Sequence, residues 1–209
     1  MVGTPLDMGK PYRPKDHFFE KAKREGFRAR SAFKIEEITR RFSVFKKGGK
    51  VLDLGAAPGG FLQVIADAVG PQGRVIGIDL VPIRPLGKPQ VTTAALDVLA
   101  DDFEEKLAEL YDGPFDVVVS DLAPKTTGIK TTDEARSLRL AMRALELAKS
   151  RGRPGGAFVA KLFMGGDFET FREAVKAAFE DVKIVRPEAT RGASMEVYVV
   201  GLRRRAQPA

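Results

Sequence analysis

The stretch VLDLGAAPGGFLQVIADAVGPQGRVIGID, residues 51–79, decides the fold. A short apolar run at 51–54 is followed by a glycine-rich turn and then by an apolar helical run from Phe61 to Val69. After the turn Pro71-Gln72-Gly73, a second apolar run at 74–79 ends in an aspartate. Two parallel strands need a crossover connection between them, and here a helix supplies it. The stretch therefore predicts two parallel strands joined by a helix.

The same alternation continues outward from this unit. Further strands are predicted from apolar runs at 91–96, 115–121, 157–163, 182–185 and 197–200. Helical spacing of apolar residues predicts helices that contain 35–42, 103–110, 138–145 and 168–179. Ser31 and Asp133 are placed to cap the helices that follow them.

The last two predicted strands are separated by residues 186–196, which leave little room for a crossover helix and favour an antiparallel return. The predicted fold class is therefore α/β. It has a Rossmann-like, mostly parallel, doubly wound sheet with an antiparallel last strand and helices on both faces.

Charge is distributed unevenly along the 209 residues. Residues 1–50 hold 14 Lys and Arg against 6 Asp and Glu, whereas residues 51–209 hold 21 against 22. The whole excess of +7 thus lies in the first quarter of the chain. Such asymmetry indicates a polyanionic partner, either nucleic acid or an anionic membrane surface, although a solubilising basic face would look the same.

Composition excludes several classes of protein. The chain has no cysteine, which removes disulfide frameworks, thiolate zinc sites and cysteine nucleophiles. A single histidine, His17, makes a histidine metal cluster or a Ser-His-Asp triad improbable, so no metal is expected. No apolar run approaches the ~18 residues of a membrane span, and the N-terminus has no apolar signal segment. We therefore expect a cytoplasmic protein that does not enter a membrane.

Residues 53–60, DLGAAPGG, join the first predicted strand to its helix and form a candidate ligand loop. Ligands of doubly wound sheets bind beyond the carboxyl ends of the strands, where this loop lies. Its glycine spacing is not that of the dinucleotide fingerprint, which disfavours a nicotinamide-dependent oxidoreductase. Asp79 ends the second strand and is suited to accept both hydroxyls of a ribose, and Asp97 ends the third.

Charged residues also occur at the ends of later strands. Asp121 follows the fourth strand, Lys161 lies inside the apolar run 158–163, and Glu196 precedes the last strand. A lysine in an apolar strand either extends its amine to solvent or is buried against a carboxylate. Burial favours the neutral amine, which is how a lysine becomes a general base. From the residues alone both alternatives stay open, and Lys34, on the first long helix, would by itself be taken as solvated.

Five sequence blocks in a fixed order carry a family resemblance. They are GFRARSAFK at 26–34, DLGAAPGG at 53–60, SDLAP at 120–124, FVAKLF at 158–163 and RGASMEVY at 191–198. With these blocks the chain, from about residue 24 to 201, resembles the FtsJ/RrmJ family of S-adenosylmethionine-dependent RNA 2′-O-ribose methyltransferases, particularly the large-subunit ribosomal RNA type.

The resemblance implies a catalytic tetrad and a cofactor site. The family's Lys-Asp-Lys-Glu set corresponds to Lys34, Asp121, Lys161 and Glu196. It implies that Lys161 deprotonates the 2′-hydroxyl, that the two carboxylates hold it, and that Lys34 helps to position the target. The S-adenosylmethionine residues implied are Gly59, Phe61, Asp79, Asp97 and Asp121. The expected fold is thus a Rossmann-like methyltransferase fold, and no metal is implied.

The resemblance also gives the basic N-terminal segment a role as an RNA-facing surface. We expect a basic N-terminal arm and helices at 1–48 packed on the core, a methyltransferase catalytic domain at 49–203, and a C-terminal tail at 204–209. Residues 203–205, all arginine, are a candidate second RNA patch. The expected phosphate contacts are Arg13, Lys15, Lys21, Lys23, Arg24, Arg28 and Arg30.

The expected partner is 23S ribosomal RNA, with a uridine as target, within the large ribosomal subunit, and the protein is expected to be a monomer. Alternatives are a tRNA 2′-O-ribose methyltransferase and a non-catalytic RNA-binding or ribosome-assembly factor. Methylation of cytosine C5 would need a cysteine nucleophile, and the chain has none.

Overall fold

A computed structural model describes residues 17–192 and 194–206. Its helices are α1 His17–Arg24, α2 Ala32–Phe42, α3 Gly60–Val69, α4 Phe103–Leu110, α5 Lys130–Arg151 and α6 Phe168–Ala178. Its strands are β1 Lys50–Leu54, β2 Arg74–Asp79, β3 Val91–Ala95, β4 Phe115–Ser120, β5 Gly152–Phe163, β6 Phe179–Val185 and β7 Glu196–Arg204. In the described part of the chain, no helix has both the length and the apolar character needed to cross a membrane.

The seven strands form one sheet in the order β3-β2-β1-β4-β5-β7-β6. Strands β1 to β5 are parallel, and β7 lies between β5 and β6 and is antiparallel to both. The chain starts in the middle of the sheet at β1, builds outward to β3, and then returns to the other side of β1 with β4. This reversal opens a crevice at the carboxyl ends of β1 and β4, where ligands bind in doubly wound sheets.

Alternating side chains of the strands build a core on each face of the sheet. Leu52 and Leu54 are fully buried in the core beneath α4, α5 and α6, and Val51 is fully buried in the core beneath α2 and α3. Because parallel strands are covered on both faces, both sets of positions are apolar, as the continuous runs of the sequence predicted. Ile35 and Ile38 of α2 belong to the second core, so α2 packs directly on the sheet. The predicted division of the chain into an N-terminal unit at 1–48, a catalytic domain at 49–203 and a tail at 204–209 stays a prediction.

The predicted fold class is confirmed, and most strand and helix bounds agree within a few residues. The exceptions have local causes. Strand β5 begins at Gly152, five residues before the predicted start, and its pairing with β4 is irregular between Phe115 and Val117. Helix α1 was not predicted as a separate element.

Asp133 was wrongly assigned as the cap of α5, because the helix begins three residues earlier, at Lys130. Its carboxylate instead accepts hydrogen bonds from the main-chain N–H and the hydroxyl of Thr127 and from the N–H of Gly128. It therefore holds the loop that follows Asp121. Ser31 does occupy the N-cap position of α2, but its side chain makes no capping hydrogen bond.

A substitution of Gly201, on β7, tests how tightly the outer part of the sheet packs. A Cβ atom there would lie 2.7 Å from the ring of Phe179, which is itself buried and stacked on Phe158. We expect Gly201→Ala to lower the free energy of unfolding by about 1–3 kcal/mol, since an overpacked core must shift. Urea denaturation measures this. The matched control is Gly166→Ala, where an added Cβ meets nothing within 4 Å, and equal stability of the two variants would contradict the prediction.

Candidate active site

The carboxyl edge of the sheet collects the charged residues that the sequence singled out. The strand register places Leu54, Ile78, Ser120 and Ala160 in one row across four strands. The residues that follow them therefore form the next row, at the end of the sheet. That row contains Asp79, Asp121 and Lys161. These three residues are spread over 82 positions of the sequence. They meet because parallel strands end at the same edge of the sheet.

The glycine-rich loop between β1 and α3 closes tightly over this edge. Gly55 has φ +78°, and a Cβ atom there would lie 2.8 Å from the main-chain nitrogen of Leu122. Gly59 has φ +110° and is the N-cap of α3. Glycine is required at both positions, by the backbone conformation and at Gly55 also by the close approach of the chain. The loop leaves the N-terminus of α3 at the crevice, where it favours negatively charged groups.

Asp79 and Asp97 lie at the ends of β2 and β3, on the same side of the crevice. The two carboxylate oxygens of Asp79 accept hydrogen bonds from the N–H groups of Ala57 at 2.9 Å and Val81 at 3.0 Å. Asp79 thus links the glycine-rich loop to the segment after β2, while each of its oxygens keeps a second lone pair. Asp97 is exposed and accepts a hydrogen bond from the N–H of Leu99 at 2.9 Å.

Lys161 and Asp121 form a largely buried ion pair. The Lys161 amine lies 3.0 Å from Oδ1 of Asp121 and donates to the main-chain oxygen of the same residue at 2.8 Å. Only 7% of Lys161 is exposed. Of the two alternatives left open by the sequence, burial against a carboxylate is the one observed. The catalytic role of Lys161 stays a prediction.

A second ion pair lies beside the first. Lys34, on α2, is also 7% exposed and pairs with Glu196, the first residue of β7. The expectation that a helical lysine is solvated is wrong here. Helix α2 packs against the sheet, and the side chain of Lys34 reaches Glu196 at the carboxyl edge. All four residues of the predicted tetrad are therefore brought to one place.

Tyr198 joins the two ion pairs, and sequence analysis gave it no role. It faces Lys161 in the pairing of β5 with β7, and its hydroxyl donates to Oδ1 of Asp121 at 2.6 Å. The Lys34 amine lies 5.8 Å from the centre of its ring. Burial, and then the charge of Asp121, raise the pKa of the Tyr198 hydroxyl, so it stays a neutral donor. The sequence carried one signal for Tyr198: it lies two residues after Glu196, so the two side chains are on the same face of the last strand.

Phe61, the expected aromatic residue of the cofactor site, is buried at the start of α3 with its ring 6.4 Å from that of Tyr198. Nearby, Asp53 has no exposed surface, and neither carboxylate oxygen has a hydrogen-bond partner among the described residues. Burial, with the neighbouring charges of Asp121 and Asp79, raises the pKa of Asp53 well above its usual value. The charged carboxylates at this end of the crevice are those of Asp79 and Asp121, which suit a cationic ligand group.

The predicted RNA-binding residues do not form one uniform surface. Lys23 and Arg24 are exposed on α1, and Lys21 lies over the ring of Phe33, 4.4 Å from its centre. Arg30 donates to the main-chain oxygen of Ala189. Arg13 and Lys15 lie outside the described residues. Arg28 hydrogen-bonds main-chain oxygens of two loops, and its predicted phosphate contact stays a prediction.

A cavity of about 470 Å³ lies between these basic residues and the tetrad. It is lined by Arg30, Lys34, Arg191, Ser194 and Glu196. Three of these five residues are basic, and Lys34 and Glu196 belong to the tetrad. The cavity is within the size range of small-ligand sites and opens on the Lys34–Glu196 pair.

Comparison with known proteins assigns this arrangement to a family. Residues 27–204 match the model of the FtsJ-like methyltransferases. A protein of Myxococcus xanthus named ribosomal RNA large subunit methyltransferase E is 72% identical over 209 residues, which is 100% of this chain and 98% of that protein. A protein of the same name from an Anaeromyxobacter species is 56% identical, over 95% of this chain and 73% of its own.

Solved structures share the fold. A Plasmodium falciparum protein provisionally described as a ribosomal RNA methyltransferase has a TM-score of 0.76 at 25% identity, covering 87% of this chain and 100% of that one. Fibrillarin of Aeropyrum pernix, solved with S-adenosylmethionine, has a TM-score of 0.55 at 16% identity, covering 75% and 67%. The second likeness concerns the fold alone.

The burial of Asp53 makes stability depend on pH in a defined direction. The native state holds this proton more tightly than the unfolded chain, so the free energy of unfolding falls as the pH rises from 3.8 toward the raised native pKa. The slope approaches about 1.4 kcal/mol per pH unit over that window. Asp53→Asn removes this titrating group and therefore the slope, so the variant gains stability relative to the wild type as the pH rises.

Urea denaturation of the ligand-free protein across this pH range measures the effect. The exposed Asp101→Asn serves as control and is expected to leave the difference from the wild type independent of pH. A constant difference for Asp53→Asn as well would contradict the prediction.

Proposed function

Because this chain belongs to the FtsJ-like methyltransferase family, we propose that it methylates a ribose 2′-hydroxyl of 23S ribosomal RNA. The target is a uridine in the large ribosomal subunit, and the methyl donor is S-adenosylmethionine. Similarity along the whole chain to proteins named ribosomal RNA large subunit methyltransferase E supports the choice of RNA. The observation that carries the choice of reaction is the buried Lys161–Asp121 pair beside the Lys34–Glu196 pair.

The crevice residues fit S-adenosylmethionine. The carboxylates of Asp79 and Asp121 make the site negative, and the buried Asp53 beside them has no hydrogen-bond partner among the described residues, which suits a ligand that carries a sulfonium and an ammonium group. The residues that would hold it are Gly59, Phe61, Asp79, Asp97 and Asp121. Asp79 offers two carboxylate oxygens to a pair of ribose hydroxyls. When bound, this molecule supplies a methyl group on a positively charged sulfur, which is transferred by in-line displacement.

Lys161 is oriented to accept the proton of the 2′-hydroxyl. To act as a base, Lys161 must first give up the proton that it carries in the ion pair. The neutral amine then has two N–H bonds and one lone pair, and Asp121 presents two acceptors, its main-chain oxygen at 2.8 Å and Oδ1 at 3.0 Å. Satisfying both acceptors leaves the lone pair in the remaining direction, available to the ribose hydroxyl. Once the proton has moved to Lys161, the resulting ammonium is held by the Asp121 carboxylate. The hydroxyl oxygen becomes a nucleophile as it loses this proton.

Lys34 and Glu196 position the target on the other side of Lys161. Both line the cavity of about 470 Å³ through which a nucleotide reaches the tetrad. An amine and a carboxylate there can bond the ribose and the phosphate next to it, and correct orientation supplies much of the rate enhancement in a displacement reaction. We further propose that Lys21, Lys23, Arg24 and Arg30 contact RNA phosphates, and that the protein acts as a cytoplasmic monomer.

The alternatives make different use of these residues. A tRNA 2′-O-methyltransferase would need the same tetrad and differ only in the RNA it accepts. A non-catalytic assembly factor would need the basic surface but not a buried lysine, whose burial carries a free-energy cost. The two buried lysines therefore favour an enzyme over a binding protein.

Methyl transfer from tritiated S-adenosylmethionine tests the reaction. Isolated large subunits, free ribosomal RNA and tRNA are offered as acceptors, with the wild type, Lys161→Ala and the exposed control Lys149→Ala. We expect labelling of large subunits and an activity of Lys161→Ala lower by about 10²–10⁴-fold, the usual contribution of a general base. Alkali resistance of the adjacent phosphodiester identifies a 2′-O-methyl group.

Three results would contradict this assignment. Unchanged activity of Lys161→Ala removes Lys161 as the base. Labelling of tRNA alone, or label in an alkali-sensitive position, removes the ribosomal or the ribose assignment respectively.

The salt dependence of RNA binding tests the basic surface. Lys23→Ala and Arg24→Ala are each expected to reduce the slope of log K against log salt by about one, since each removes one phosphate contact. Filter binding at several salt concentrations measures the slope. Lys149→Ala, on a helix packed against the other face of the sheet, is expected to leave it unchanged. Equal slopes for all three variants would contradict the assignment.

A further inference from the structure

Arg28 lies in the basic N-terminal segment, yet its guanidinium binds the core. Nη1 donates to the main-chain oxygens of Pro58 at 3.2 Å and Arg84 at 2.5 Å, and Nη2 donates to that of Pro85 at 2.7 Å. These acceptors lie 30, 56 and 57 residues from Arg28. One side chain therefore links its own segment to two others, one at Pro58 and one at Arg84 and Pro85.

The guanidinium also packs against the glycine-rich loop. A Cβ atom on Gly59 would lie 3.1 Å from both Cδ and Nη1 of Arg28 and 3.5 Å from the side chain of Leu86. Gly59 thus leaves just enough room for Arg28 to pass between the loop after β1 and the loop after β2. Replacing hydrogen by any larger group there would press on the arginine.

Gln63, in the first turns of α3, anchors the other side of Arg28. Its side-chain oxygen accepts the N–H of Arg28 at 2.8 Å, and its side-chain nitrogen donates to the main-chain oxygen of Gly26 at 2.9 Å. The main chain of segment 26–28 is therefore held on α3 by the side chain of Gln63, while the Arg28 side chain extends across to the loops.

The two loops that Arg28 joins are the walls of the proposed cofactor site. Pro58 and Gly59 belong to the glycine-rich loop, and Arg84 and Pro85 follow Asp79 by five and six residues. The segment 80–90 has no helix or strand of its own, so few main-chain hydrogen bonds hold it. A guanidinium presents its donors in a rigid planar fork, which suits the bridging of several fixed acceptors better than a flexible amine does.

We infer that Arg28 is a positioning residue for the cofactor site, which it preforms by fastening the glycine-rich loop to the loop after β2. It couples the RNA-facing N-terminal unit to cofactor binding and is not itself a phosphate contact. This inference rests on the proposed function. A preformed site binds more tightly because the loops do not have to be ordered when the ligand arrives.

Arg28→Lys separates the two roles, because lysine keeps the positive charge that a phosphate would need but loses the fork. Affinity for S-adenosylhomocysteine is measured by calorimetry without RNA, and KM for S-adenosylmethionine and for large subunits is measured in the methyl-transfer assay. We expect the dissociation constant and the cofactor KM to rise about tenfold, the effect of losing one hydrogen bond made by a charged group. The KM for large subunits should change less than about twofold.

Lys23→Ala is the matched control from the same basic segment, and it is exposed. It should raise the KM for large subunits and leave cofactor affinity unchanged, the reverse of Arg28→Lys. Thermal unfolding of each variant shows whether the effect is specific, since a merely structural role would lower the melting temperature without separating the two KM values.

The outcomes are distinguishable. If the wild type does not bind S-adenosylhomocysteine, the proposed function fails. If the wild type binds it and Arg28→Lys binds it equally well, or if Arg28→Lys raises only the KM for large subunits, this inference is overturned. Should Arg28→Lys not fold, Gln63→Ala loosens the same segment from the α3 side, and an unchanged dissociation constant for that variant would overturn the inference.

Discussion

The buried pairing of Lys161 with Asp121 is the interaction on which the rest of the site depends. Removing either partner would leave an isolated charge away from water, at a cost of several kcal/mol. The pair is possible because β4 and β5 are adjacent and in register, so that Asp121 follows Ser120 while Lys161 follows Ala160, its partner in the ladder. Tyr198, opposite Lys161 on β7, completes the hydrogen bonding of the carboxylate. Sheet order and the geometry of this pair are thus one constraint.

Charge at the carboxyl edge is arranged as two lysine–carboxylate pairs with further carboxylates beside them. Lys34 and Glu196 repeat the pairing of Lys161 and Asp121, and the neutral Tyr198 hydroxyl lies between the pairs. Asp53 and Asp79 lie on the cofactor side, where burial, and then the charges of Asp121 and Asp79, raise the pKa of Asp53. The edge therefore has a negative region suited to a sulfonium and a region with two amines suited to a ribose and its phosphate. Such a separation brings a cationic donor and an anionic acceptor together from opposite sides.

The basic residues of the N-terminal segment lie in three different settings that its composition does not distinguish. Lys34 pairs with Glu196 at the carboxyl edge, Arg28 fastens two loops together, and Lys23 and Arg24 are exposed on α1, where we propose that they contact RNA. All three depend on α2, whose Ile35 and Ile38 are fully buried against the sheet. The excess positive charge of residues 1–50 is therefore partly internal. Counting charges overstates the surface available to RNA.

The sequence by itself determined the α/β class, the strand ends and the edge at which the charged residues meet. These follow from local patterns: apolar runs of strand or helix period, each closed by glycine or aspartate. The tetrad came from the order of family motifs, since nothing local distinguishes Lys34 from a solvated helical lysine. Only the tertiary structure decided the hydrogen-bond partners, because these lie far apart in the chain: 162 residues for Lys34 and Glu196, 77 for Tyr198 and Asp121. It also decided that Arg28 binds main-chain oxygens and that the buried Asp53 has no partner among the described residues, since neither a distant acceptor nor the lack of one leaves a periodic signal in the sequence.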